Sequence, residues 1–229
     1  MPRSHVSHCR SLSRSLIFAS MLSACSAAGE PAATSDTTHD VRYVARLVSL
    51  TQGDGGGYGA DRLPAIVEGP PHGAGCCAGS TDVVSLGNGG EIVVAFDVDV
   101  VDEPGVDLIV FENPFEIAGD PTNLWSELGE VSVSEDGVAW TTFPCAQPTP
   151  RNAPPPYGQC AGWRPVMATV ERPVDARDAA KAGGDAYDLA TIGVRRARYV
   201  RVRDLRSERP AKDGTAGFDL DAMAAVHWE

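Results

Sequence analysis

The apolar residues of this chain come in short runs that are cut off before a helix could form. Residues 83–86, 91–98, 107–112 and 129–134 are rich in Val and Ile, and Gly, Pro or Asp closes them. With 24 glycines and 17 prolines in 229 residues, turns recur too often for long helices. Such runs fit strands. Residues 41–50, 138–143, 199–204 and 217–228 complete the set, and the one helix-like stretch, 176–182, stops at Gly183 and Gly184. Many short strands separated by turn residues imply an all-β fold, a single antiparallel β-sandwich or jelly roll. The clearest hairpin runs through Val131, Val133, Asp136-Gly137, Val138 and Trp140, with Asp-Gly supplying the two positive-φ positions of a tight turn.

The first residues do not belong to that fold. Arg3, Arg10 and Arg14 give a positive start, residues 16–22 are apolar but too short to span a bilayer, and Leu22-Ser23-Ala24-Cys25 follows. The run resembles the bacterial lipobox, which implies cleavage before Cys25 and a diacylglycerol on its thiol. An ordinary secretory signal that happens to precede a Cys is the other reading. Ser26 stands where the inner-membrane retention signal has Asp, so the resemblance implies an outer-membrane lipoprotein of the cell envelope. Residues 1–25 are thus read as a signal peptide, 26–40 as a flexible tether of small polar residues, and 41–229 as the β-sandwich domain.

Without residues 1–25 the chain has 16 basic and 31 acidic residues. A net charge of this sign excludes nucleic acid as a natural partner, because phosphate must be neutralised by Lys and Arg. It suits a solvated surface or divalent cations. Four cysteines remain for an oxidising compartment. Cys145 and Cys160 bracket a Pro-rich loop that has few other means of order, and adjacent Cys76 and Cys77 are placed for a vicinal bridge, with other connectivities open.

Acids and amides gather beside the strands. Asp97, Asp99 and Asp102 precede the Gly105 turn, and Asp107, Glu112 and Asn113 follow it. Asp185, Asp188, Asp219 and Asp221 come later, the last two on one face of a strand, opposite Phe218 and Leu220. Calcium needs six to eight hard oxygens, so Glu112, Asn113, Asp185, Asp188, Asp219 and Asp221 are the candidate calcium ligands. Turn caps and solvated acids are the alternative. Gly56-Gly57-Tyr58-Gly59-Ala60-Asp61-Arg62-Leu63 fits a calcium nonapeptide, but that fold stacks many copies. A single copy reads better as a mobile Gly-rich loop at the sandwich rim.

Two segments, residues 131–140 and Ala197-Arg198-Tyr199-Val200-Arg201-Val202, together resemble the galactose-binding-like jelly roll of discoidin and coagulation-factor C-type domains. A closer resemblance, over residues 41–226, is to bacterial envelope proteins described as cell surface proteins. Residues 83–92, 105–113 and Gly217-Phe218-Asp219-Leu220-Asp221-Ala222 carry it. It implies a fold and a location more than an activity.

Catalysis has little to build on. His39, His72 and His227 are the only histidines past residue 25, and no Gly-x-Ser-x-Gly elbow is present. Trp140 and Trp228 fall in predicted strands and read as core. Trp125 and Trp163 fall in loops, where they stack on a sugar ring or close the sandwich mouth. The leading expectation is a non-catalytic surface module that binds a glycan or a surface protein, with calcium rigidifying its loops. A structural or adhesive protein without a small-ligand site comes second, and a carboxylate-pair glycan hydrolase third.

Overall fold

The computed structural model describes residues 41–147, 153–206 and 214–229. The predicted signal peptide, tether and Cys25 lie outside the described residues. In chain order the strands are β1 (Arg42–Tyr43), β2 (Arg46–Thr51), β3 (Val84–Ser85), β4 (Glu91–Val101), β5 (Leu108–Phe111), β6 (Phe115–Glu116) and β7 (Leu124–Trp125). They continue with β8 (Gly129–Ser134), β9 (Thr141–Thr142), β10 (Asp185–Tyr187), β11 (Arg196–Asp204), β12 (Asp219–Leu220) and β13 (Ala222–Ala225). All pairings are antiparallel. One sheet runs β1-β13-β5-β10 and the other β2-β4-β11-β8-β9, while β12-β3 and β6-β7 form two-stranded ribbons.

The two larger sheets pack face to face. Leu108, Val110 and Met223 of one share a core with Ile92, Val94, Val131, Val200 and Val202 of the other. Burying a side chain of this size is worth roughly 1.5–3 kcal/mol. In the five-stranded sheet β11 alternates: Ala197, Val200 and Val202 are buried, whereas Arg198 pairs with Asp99 at 2.6 Å and Arg203 with Glu130 at 2.7 Å on the outer face. The four-stranded sheet has no wet face. Ile109, Phe111, Ala222 and Ala224 point away from the main core and are covered by Val166, Ala168, Ala176 and Ala182. A strand buried on both sides loses its polar alternation, hence Leu-Ile-Val-Phe in β5 and Ala-Met-Ala-Ala in β13.

Several predicted elements need correction. Residues 41–50 are two strands in different sheets, divided at buried Val44, and residues 217–228 likewise divide at Asp221. Asp219 pairs with Ser85 of β3, whereas Ala222 pairs with Phe111 of β5, so Asp219 and Asp221 do not share the face of one strand. The Asp136-Gly137 turn is wide, because β8 and β9 pair only from Val133 and Thr141 outwards. Asp136 Oδ1 accepts from the amides of Val138 and Ala139, and only Gly137 has a positive φ. Trp140 is therefore outside any strand, half-buried, with the Arg201 guanidinium 4.6 Å from its ring. The helix is one turn, Ala179–Ala182, and β10 was not predicted.

The Gly-rich loop is packed, not free. A Cβ on Gly56 would lie 2.4 Å from Gly87 N, and one on Gly217 would lie 2.5 Å from Gly87 O. Main chain meets main chain here, which only glycine permits. Disulfides join Cys145 to Cys160 and Cys76 to Cys77.

Candidate functional site

β12 enters the fold through three successive amides, each of which donates to a different buried carboxylate. Gly217 N donates to Glu127 Oε1 at 3.1 Å, Phe218 N to Asp204 Oδ2 at 2.9 Å, and Asp219 N to Glu112 Oε1 at 3.1 Å. Asp204 Oδ1 also accepts from Gly89 and Arg206 amides, both at 2.7 Å, which ties the glycine turns to the same point. Buried carboxylates of this kind stand in for the ladder partners that a strand entrance lacks.

The bonds do not use up the oxygens. Glu112 Oε2, Asp219 Oδ1 and Ser85 Oγ are buried without a hydrogen-bond partner. Burial drives the Glu112 carboxyl well above the usual range, and Asp219 and Glu127 push the same way. Burial likewise raises Asp219 to about 6. In both, loss of water around the charged form is the largest cause.

A polar chain leads outwards from this cluster. Asn113 Nδ2 donates to Asp219 Oδ2 at 3.4 Å and Asn113 Oδ1 accepts from Ser80 N. Ser80 Oγ donates to His72 O at 2.7 Å, and His72 N donates to both Asp221 oxygens at 3.1 and 3.0 Å. Burial raises Asp221 to about 7, against the pull of the His72 amide. His72 Nδ1 lies 2.5 Å from Asp82 Oδ2, and Asp82 meets Arg62 at the surface at 3.2 Å. Segment 72–82 is thus strapped over the acids at both ends, and it carries the Cys76–Cys77 bridge between the straps. That bridge rests on the β6-β7 ribbon, where Glu116 N donates to Cys76 O at 2.7 Å. On the same ribbon Trp125, 43% exposed, stacks on Phe115 with ring planes 9° apart.

The six predicted calcium ligands separate. Glu112, Asn113 and Asp219 come together and Asp221 lies one relay away. Asp185 sits on β10, where its Oδ2 accepts from Gly162 N at 2.7 Å and Trp163 N at 3.2 Å; burial raises it to about 7. Asp188 caps a 3₁₀ turn through Ala190 N. Its carboxylate shares a second acid group with Asp102 and Asp107, their oxygens within 4.8 Å of one another. There Asp107 is fully engaged, accepting from Glu103 N and Leu189 N and lying 2.9 Å from His227 Nδ1. A groove of about 710 Å³ lies alongside, lined by Asp102, Glu103, Arg196 and Glu229 among others. Arg196 pairs with Glu229 across it.

Trp163 is half-buried, with Tyr157 edge-on at 5.9 Å and the Arg164 guanidinium 4.7 Å from its ring. Ser85, Glu127 and Asp204 went unpredicted as site residues. The signal for Asp204 and Glu127 is absent from spacing, since they reach the cluster from β11 and from before β8; Ser85 is legible only once Asp219 is known to lie opposite it. Comparison with protein-family models and with curated proteins gave no match for this chain.

Proposed function

We propose that the chain is a non-catalytic, exported binding module, held to the outer membrane through lipid on Cys25, which recognises a glycan at the rim of its sandwich. The observation that carries the reading is Trp125: an exposed indole, stacked parallel to Phe115 on a short ribbon whose other strand is tied to the vicinal disulfide through Glu116 N and Cys76 O. A rigid, half-exposed aromatic face is what a sugar ring stacks on, and rigidity lowers the entropy lost on binding. Trp163 is the second candidate for this role, with Tyr157 edge-on to its ring and the Arg164 guanidinium over it. Calcium is the proposed cofactor that stiffens the rim, and the jelly-roll topology belongs to the same reading.

What supports a non-catalytic reading is how His72 and His227 are used. Ser80, His72 and Asp82 are the residue types of a hydrolase triad, but the Ser80 hydroxyl donates to the His72 carbonyl oxygen and not to its ring. Asp107 beside His227 is committed to two main-chain amides.

A glycan array probed with the full chain and with Trp125→Ala tests the reading. Hits that Trp125→Ala loses and Trp163→Ala keeps are expected. An array without hits, with a protein captured through the same rim, would replace it by the adhesive alternative, and release of reducing ends from a polysaccharide would replace it by the hydrolase. Radiolabelled palmitate that enters the chain but not Cys25→Ala checks the anchor.

A further inference from the structure

We propose that Glu112, Asp219 and Ser85 form a binding site for one hard divalent cation of calcium's class, and that the ion fixes segment 72–82 beneath the Trp125 rim. This deepens the binding-module reading, and only its second half rests on it.

The argument begins with what each oxygen is doing. Glu112 spends Oε1 on the Asp219 amide and Asp219 offers Oδ2 to Asn113, so each acid keeps one oxygen in hand. Those two, Glu112 Oε2 and Asp219 Oδ1, are buried and unpartnered, and Ser85 Oγ is a third. Ser85 is the register partner of Asp219 across β3-β12 and lies beside its carboxyl, yet its hydroxyl completes no hydrogen bond of acceptable geometry. Exposure of Glu112, Asp219 and Ser85 is 3%, 9% and 1%. These three oxygens lie on β12, on its partner β3 and on the acid that holds the Asp219 amide, all away from water, and are not a solvated acid patch.

Charge makes the same point. The groups that bear on Glu112 and Asp219 are further acids, Glu127 and Asp204, which already hold the Gly217 and Phe218 amides. No Lys or Arg is among them. A buried acid pair must take up either a proton or a cation. The donors are oxygens only, two of them charged, which selects calcium or magnesium over zinc or copper. Calcium's tolerance of irregular, many-oxygen surroundings favours it over magnesium, which demands a near-ideal octahedron. The Asp102–Asp107–Asp188 group offers no comparable vacancy of bonding, since both Asp107 oxygens are taken.

The link to the rim is Asn113. Its Nδ2 holds Asp219 and its Oδ1 holds Ser80 N, so an ion that fixes the Asp219 carboxylate fixes the strap as well.

Calorimetric titration of the metal-stripped full chain with calcium chloride, and separately with magnesium chloride, tests the site. One calcium per chain is expected, tighter than magnesium by tenfold or more, with Tm raised by about 5–10 °C at saturation. Glu112→Gln and Asp219→Asn should abolish both effects; Asp188→Asn and Trp125→Ala should keep them. Should the acid variants fail to fold, Ser85→Ala decides: about tenfold weaker calcium binding supports the site and unchanged binding overturns it. No calcium bound by the parent chain, or binding lost in Asp188→Asn and kept in Glu112→Gln, would also overturn it. A glycan lost in Trp125→Ala with calcium retained leaves the two proposals separable.

Discussion

Asp107 and Glu112 flank the same four-residue strand, β5, one before it and one after, and both are buried almost completely. At the Asp107 end, two amides and a histidine nitrogen occupy both carboxylate oxygens. At the Glu112 end, the Asp219 amide occupies one oxygen, and the other is buried without a hydrogen-bond partner. Equal burial therefore conceals different roles. The first acid is a clamp that finishes its own bonding inside the chain, and the second keeps one unpartnered oxygen, where we propose that the ion binds. Hydrogen-bond completeness, more than acidity or depth, separates a structural carboxylate from a binding one.

The sharpest way to break this comparison is to remove the clamp. Asp107→Ala leaves the amides of Glu103 and Leu189 without acceptors in the interior, and should cost about 4 kcal/mol. Urea unfolding followed by circular dichroism reads it, and the loss should be the same with and without calcium. A calcium-dependent loss would mean that both ends of β5 serve the ion.

Asp185 supplies the intermediate case, an orphaned oxygen with no second acid. Its Oδ1 has no hydrogen-bond partner, and its nearest cation is the Arg164 guanidinium at 3.9 Å. Such a group should hold a proton rather than a metal. Its folded pKa of about 7 lies above an unfolded value near the ordinary 3.8. Between those values the folded chain binds the proton that the unfolded chain has released. Its contribution is therefore fully present below about pH 4, falls as pH rises, and is lost above about 7. The parent chain should lose about 4 kcal/mol over that window relative to Asp185→Asn, which should be flat by the same measure. Equal pH profiles would show that orphaning alone does not mark a proton site. The next effect in size is at the binding acid: without calcium, Glu112→Gln should change stability by less than about 1 kcal/mol, in the stabilising direction, because it relieves repulsion among acids while Gln Oε1 keeps the Asp219 amide.

The sequence shows the longer strands, because β11 alternates and β5 is apolar throughout, whereas β6, β7 and β10, two or three residues each, are too short to carry either pattern. It also offers the two observed cysteine pairings among other connectivities, and it names Glu112, Asn113 and Asp219, which the fold brings together, among a wider set of candidate acids. It does not show where a run of apolar residues changes sheet. At Val44 and Asp221 the hydrophobic pattern continues while the hydrogen-bond partner switches, and partner choice is a tertiary fact. Likewise Asp185, Asp188 and Asp221 look like Asp219 in composition; what divides them is which amide happens to face each, and amides carry no residue-specific signal. Ser85 is invisible for the same reason, since a serine in a buried strand acquires meaning only from the residue opposite.

The smallest expected effect tests which force holds the rim. Segment 72–82 is tied down at His72 by Asp221 and at Ser80 by Asn113, and the Cys76–Cys77 bridge lies between these ties. A bridge between neighbours closes almost no loop, so the denatured chain loses little entropy to it, whereas the separation of 15 at Cys145–Cys160 corresponds to roughly 3 kcal/mol. The Cys76→Ser, Cys77→Ser double variant should therefore stay within about 0.5 kcal/mol of the parent in urea unfolding, with calcium binding unchanged, while loss of the Cys145–Cys160 bridge is felt throughout. Calcium affinity that falls with the vicinal pair would reverse the order of cause. The disulfide would then shape the strap, the strap would place Asn113, and the open acid at the end of β5 would owe its geometry to the rim rather than the rim to the acid.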